Sequence, residues 1–170
     1  MGREFAFRRL DASAANADLL AHADADESSF DAHYLLGRSL LVRAHGLRDD
    51  AYVSVVDQAR DQFLKAYRLR KLDAANLYFL SFTFPGGGTN INVINAARGA
   101  HALAPSVGNY AIQEALLDID AKQPELAIQA LMPLTSSAHN PKRAARVRAA
   151  IEAIRAGKDR VEVEHLVNES

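Results

Sequence analysis

The chain has 170 residues, of which 49% are hydrophobic, and a formal net charge of −1 at pH 7. This length accommodates one domain with a sizeable core. The near-neutral charge gives no electrostatic reason to expect binding to nucleic acid or to an anionic membrane. No apolar stretch approaches the roughly 18 residues that a membrane-spanning helix needs, and the absence of cysteine excludes disulfides and thiolate metal sites. Abundant alanine and scarce strand-forming runs predict an all-α fold.

Residues 1–29 are interpreted as an N-terminal segment with one short helix, Asp11–Ala23, whose apolar residues have helical spacing. The segment lacks an apolar core of signal-peptide length. It also reads like an internal stretch placed behind a start codon, so we expect the chain to be a piece of a longer protein. Unless it is such a piece, the expected location is the cytoplasm.

Caps and breaks predict seven further helices. Asp73 is placed to cap one helix, and Thr89 or Asn90 another. Pro124 and Pro141 suit first helical positions, where the missing N–H costs nothing. The predicted helices are Phe30–His45, Asp50–Arg70, Ala74–Phe84, Asn90–Leu103, Val107–Ala121, Pro124–Leu134 and Pro141–Ala156.

The last of these helices is interpreted as an end cap. Its apolar stripe contains Ala145, Val147, Ala150, Ile151 and Ile154. The opposite face carries five Lys or Arg residues from Lys142 to Arg155, with Glu152 as the only acid. A polar outer face suits the end of a helical array, whereas contact with phosphate or an acidic partner is the alternative. The charged tail, residues 158–170, is expected to be flexible, with a short strand as the alternative.

Small and apolar residues recur every 34 positions. A fixed period of this size, built from helix-spaced apolar residues, is typical of helix-turn-helix repeat arrays. The three sets are Ala59, Phe63, Ala66 and Leu69, then Val93, Ala97, Ala100 and Leu103, then Ala127, Leu131 and Leu134.

This pattern resembles the tetratricopeptide repeat family over roughly Phe30 to Asn140. The resemblance implies three degenerate repeats of antiparallel helix hairpins, stacked as an α-α solenoid, which together with the capping helix span residues 30–157. The residues that carry it are Leu36-Gly37 with Ala59, Phe63 and Ala66, then Leu80-Ser81 with Gly88, Ala97, Ala100 and Pro105, and more weakly Ala115, Ala127 and Leu131.

The chain departs from the family pattern in three places. Ten residues more than in the next repeat fall between Gly37 and Ala59, and the helical spacing of this insertion predicts a longer second helix rather than a loop. Glu114 and Asp118 stand where the family usually places apolar or aromatic residues. His139 replaces the punctuating proline. The third repeat is therefore degenerate.

No constellation typical of catalysis or metal binding is recognisable. The six histidines form no HExxH-like pair, and the acidic pairs lack partners that would tune a carboxylate. The glycine-rich turn Gly86–Asn90 could hold a phosphate at a helix start, but no Walker-type lysine follows it, which favours a simple turn. We therefore expect no enzyme activity, no catalytic or metal-binding residue and no cofactor.

In the family, the first helix of each repeat lines a concave groove that binds partners. Aromatic residues with an arginine are typical of binding hot spots, although burial of part of this strip is the alternative. The implied groove residues are Tyr34, Arg38, Tyr78, Phe82, Asn109, Ile112 and Leu116.

We therefore expect a non-enzymatic interaction or scaffold module that binds a protein partner, either as an extended peptide or as a helix, in this groove. No nucleic acid partner and no membrane insertion are expected. The alternative is an accessory helical-repeat domain of a larger bacterial enzyme, for example a peptidase-like one, that docks to its own catalytic domain. Homodimerisation through the first or last helix is a third hypothesis.

Overall fold

The computed structural model describes residues 21, 28–136 and 140–168. The predicted helix Asp11–Ala23 (Ala21 excepted) and the predicted role of His139 lie outside these residues. Every regular element within the described part is helical, which confirms the all-α prediction.

The chain divides into two compact units, Met1–Thr83 (unit 1) and Phe84–Ser170 (unit 2). The described helices of unit 1 are α1 (Phe30–Ala44), α2 (Asp49–Leu69) and α3 (Ala74–Leu80). Those of unit 2 are α4 (Ile91–Leu103), α5 (Gly108–Asp120), α6 (Pro124–Leu131), α7 (Pro141–Arg155) and α8 (Arg160–Asn168), with 3-10 turns at Gly87–Thr89 and Met132–Ser136.

Side-chain caps and prolines determine several helix starts. Asp73 accepts a hydrogen bond from the backbone N–H of Asn76 at 2.8 Å, and Asn90 accepts one from that of Asn92 at 3.0 Å. These bonds satisfy backbone donors that the first turn of a helix leaves without intrahelical partners. A proline occupies the first turn of both α6 and α7. The starts predicted for α3, α4, α6 and α7 agree with these observations to within one residue.

The core of unit 1 lies between α1 and α2. Phe63, Ala59 and Ala66 of α2 are fully buried, with exposed fractions of 0%. A Cβ atom added at Gly37 of α1 would lie only 2.8–2.9 Å from ring atoms of Phe63. Glycine at this position therefore lets α1 approach the ring closely. Leu69, the fourth residue of the repeating set, is exposed, so the set is buried only in part.

The ten-residue insertion lengthens α2, as predicted, because α2 continues for 21 residues without a break. Helix α3 packs on α2, and the buried Asn76 joins the two. Its Nδ2 donates a hydrogen bond to the backbone carbonyl of Phe63 at 3.1 Å.

The core of unit 2 is built by α5, α6, α7 and α8. Ala127, Val147 and Val163, from three different helices, are all fully buried in it. Val93 and Ala97 of α4 pack separately, against Leu117 of α5. In α7 the buried stripe begins at Ala144, not at Ala145 as predicted, and Ala145 is exposed.

The short strand that was the alternative for residues 158–170 is wrong for the described residues, since Arg160–Asn168 forms α8. Flexibility of the tail stays a prediction. Val163 and Val167 lie one turn apart and are both buried. Asp159 accepts a hydrogen bond from the N–H of Glu162 at 3.0 Å, which caps the helix start. The alternation of valines with charged residues concealed this i, i+4 pair.

The boundary between the units falls between Thr83 and Phe84, inside the second predicted repeat. Helix α3 ends at Leu80 rather than at Phe84, and a turn follows it. A solenoid of stacked repeats over residues 30–157 therefore remains a prediction.

Candidate interaction surface

Aromatic side chains from α1 and α3 meet in unit 1. The ring of Tyr34 lies 6.1 Å from that of Phe79 and 6.3 Å from that of the buried Phe63, measured between centroids. Phe63 and Phe79 are stacked, with centroids 6.1 Å apart. The buried Phe63 therefore supports two half-buried rings that lie nearer the surface.

Arg38, one turn after Tyr34 on α1, lies over both of the outer rings. Its guanidinium carbon is 5.6 Å from the centroid of Tyr34 and 5.1 Å from that of Phe79. These distances are typical of cation–π contacts, which hold a guanidinium against a ring face. The arginine is therefore positioned by aromatic rings on two helices.

Tyr78 and Phe82 extend this cluster along α3 and into the following turn. Tyr78 meets Phe79 edge-on at 5.3 Å and Phe82 at 5.0 Å. The turn is closed by the hydroxyl of Thr83, which donates to the carbonyl of Leu80 at 2.8 Å. Phe82 is 41% exposed, so a large aromatic side chain is presented at the surface.

Four predicted groove residues, Tyr34, Arg38, Tyr78 and Phe82, thus lie in one cluster. Phe79 connects them, although it was not among the predicted groove residues; its position directly after Tyr78 was the available signal. We call these five residues the aromatic–arginine cluster. Beside it, Phe30 stacks on Tyr34 at 5.7 Å, and Arg70 of the α2–α3 turn lies 4.0 Å from the Phe30 centroid.

The three predicted groove residues of unit 2 have different environments. Asn109 is exposed and accepts a hydrogen bond from the guanidinium of Arg143 at 3.1 Å. Ile112 and Leu116 are only 9% and 3% exposed and belong to the core that α6, α7 and α8 complete. As a correction, these two residues contribute to packing and not to an open groove, because the helices after α5 cover that face.

A charged cluster between α4 and α5 explains the two acidic departures from the family pattern. Arg98 of α4 donates to the fully buried carboxylate of Asp118 at 2.7 Å and to Gln123 at 2.9 Å. Nδ1 of His101 lies 2.6 Å from a carboxylate oxygen of Glu114. Burial raises the pKa of the Asp118 carboxyl, and the hydrogen bond and charge of Arg98 oppose this only in part. The helix pair is joined here by polar contacts.

His33 and the glycine-rich turn have structural partners. The buried His33 lies 2.8 Å from the amide oxygen of Gln62. Gly88 packs against the end of α5, where an added Cβ would lie 2.3 Å from the carbonyl oxygen of Leu117. The glycine-rich turn thus allows a close backbone approach. Within the described residues, no group of three or more His, Asp or Glu side chains is arranged to hold a metal ion.

Comparisons of the chain with protein-family models, curated proteins and solved structures found no match. Among the described helices, none is both long and apolar enough to cross a bilayer.

Proposed function

We propose that the chain is a non-enzymatic protein-interaction module, and that the aromatic–arginine cluster of unit 1 binds an extended peptide or a helix of a partner protein. The observation that supports this most directly is the arrangement of exposed and half-buried aromatic rings around Arg38. Aromatic residues and arginine are enriched where truncation weakens protein binding most.

The physical basis is that the side chains of this cluster are already held in place, so that little side-chain entropy is lost on binding. Tyr34 and Phe79 hold the Arg38 guanidinium, so a partner would not have to immobilise a free arginine side chain, which is one of the costs of association. Phe82 offers apolar area, while Arg38 offers a cation that can contact a carboxylate. The ligand class that fits best is a peptide with an apolar anchor next to an acidic residue.

The test is a selection of peptides from a displayed random library on the full chain, followed by fluorescence anisotropy with the selected peptides. Phe82→Ala should weaken binding by more than about 1 kcal/mol, roughly fivefold or more. Because Phe82 is already 41% exposed, the far-UV circular dichroism of this variant should match that of the wild type.

Tyr52→Ala is the matched control, since Tyr52 is a similarly exposed aromatic residue of α2, at 44%. It should leave the affinity of the selected peptides unchanged. Equal affinity of Phe82→Ala and wild type, or failure to select any peptide, would contradict the proposal.

A further inference from the structure

Three Lys or Arg residues lie in the first two turns of α7. Arg143 of α7 donates to Asn109 at the start of α5, so the starts of these two helices lie together. Arg160, which follows the end of α7, donates to Asp120 at the end of α5 at 2.6 Å. Helices α5 and α7 therefore run in the same direction, and their positive N-terminal dipole ends are adjacent.

Three basic residues in the first two turns of α7, namely Lys142, Arg143 and Arg146, occupy this end of unit 2, which we call the basic end. Arg143 donates to a neutral acceptor, the amide oxygen of Asn109. Arg148, at the middle of α7, also donates to a neutral acceptor, the carbonyl of Thr135 at 2.7 Å. Nε of Arg146 is buried without a hydrogen-bond partner in the described part of the chain. Among the described residues, no carboxylate is in contact with the cations of the basic end.

Four other cations of unit 2 differ from these, since Arg98, Arg155, Lys158 and Arg160 each contact a carboxylate within 4.0 Å. Lys122, after the end of α5, is the exposed exception among the described residues. The sequence explains the difference, since no acidic residue occurs between Asp73 and Glu114 or between Glu125 and Glu152. Both stretches contain the segments that meet at the basic end.

This distribution does not stabilise the helices. Acidic residues near helix starts and basic residues near helix ends interact favourably with the helix dipole. Helix α7 instead has Lys142 and Arg143 in its first turn and no acid there. The side-chain charges and the helix dipoles therefore add to one another. An anion bound at this end would relieve both.

We propose that the basic end of unit 2 binds an acidic peptide segment of a partner protein. The basic end and the aromatic–arginine cluster belong to different units, and the proposal does not depend on the one made for unit 1. Single-stranded nucleic acid fits less well, because its binding sites combine basic residues with exposed aromatic rings. Tyr110 is the last aromatic residue of the chain, and it is buried.

The experiment measures the anisotropy of a fluorescein-labelled oligoglutamate peptide with the full chain at low salt. Lys142→Gln/Arg143→Gln should weaken binding by about fivefold or more, since exposed ion pairs contribute up to about 1 kcal/mol each. The single variant Lys142→Gln, at an exposed position, should weaken binding by about twofold and cannot do so through loss of packing.

Arg155→Gln/Lys158→Gln is the matched control, because it removes the same charge from cations that already contact Glu152 and Glu162. It should change the affinity by less than about twofold. The proposal is overturned if both double variants weaken binding equally, if oligoglutamate does not bind the wild type, or if an oligothymidylate of equal charge binds more tightly than oligoglutamate. Variants of Phe82 should have no effect, which separates this result from the test of unit 1.

Discussion

Replacement of Phe63 by alanine tests the packing of unit 1 most directly. The side chain is fully buried, it contacts α1 at Gly37, and its ring meets those of Tyr34 and Phe79. Phe→Ala in a core costs about 3–5 kcal/mol. Because two ring pairs are lost, each contributing about 0.5–1.5 kcal/mol beyond burial, we expect the upper half of that range. Whole domains are stable by only about 5–15 kcal/mol, so unit 1 should become marginal.

A second substitution isolates the contact itself. Gly37→Ala should destabilise the wild type, since the added methyl group would overlap the Phe63 ring and overpacking costs about 1–3 kcal/mol. In the Phe63→Ala background the ring is gone, and the same change should stabilise α1 by about 0.5–1 kcal/mol through helix propensity. The two substitutions should therefore be coupled by at least about 1 kcal/mol.

The assay is urea unfolding of the four proteins of this cycle, followed by far-UV circular dichroism. The exposed Tyr52→Ala is the control, with an expected change within about 0.5 kcal/mol. A cost below about 1 kcal/mol for Phe63→Ala, or additive effects of the two substitutions, would refute the packing of α1 on this ring.

Three further predictions concern unit 2. Gly88→Ala should cost about 1–3 kcal/mol or more, because its Cβ would meet the backbone of α5. The control is Gly46→Ala in unit 1, where a Cβ meets nothing; it should be neutral or stabilising, and thermal unfolding distinguishes the two variants. Val163→Ala should cost about 1–3 kcal/mol, and Val161→Ala, at a position 74% exposed, almost nothing; equal costs would mean that α8 is not packed. The pKa of the Asp118 carboxyl is raised in the folded protein, so between the ordinary pKa and the raised one the folded protein holds a proton that the unfolded protein has released. The contribution of Asp118 to the free energy of unfolding therefore falls as the pH rises through this interval and is constant above it. When the pH is lowered from about 7 to 4, the free energy of unfolding of the wild type should therefore rise relative to that of Asp118→Asn. A difference between the two proteins that does not change with pH would contradict this.

Local chemistry made most helix limits predictable. Asp73 caps α3 and prolines begin α6 and α7, because these residues act on backbone groups within one turn of themselves. The 34-residue period likewise identified Ala59 and Phe63 as buried, since helical spacing determines which side chains share a face.

The candidate surface was predictable only in part. Tyr34 with Arg38, and Tyr78 with Phe82, are one-turn neighbours, so the sequence indicated each pair. Their meeting through Phe79 depends on how α3 packs on α2, which spacing does not specify.

The all-α class and the helix starts were thus determined by the sequence alone, because they follow from interactions within a few residues. The repeating set was buried only in part, since Leu69 and Leu103 are exposed. Tertiary structure decided the rest. Ile112 and Leu116 are core residues because later helices cover their face. The tail residues of α8 are held in part by the packing of Val163 and Val167 against the core of unit 2. Burial of a side chain depends on what is packed against it, and distant parts of the chain supply those neighbours.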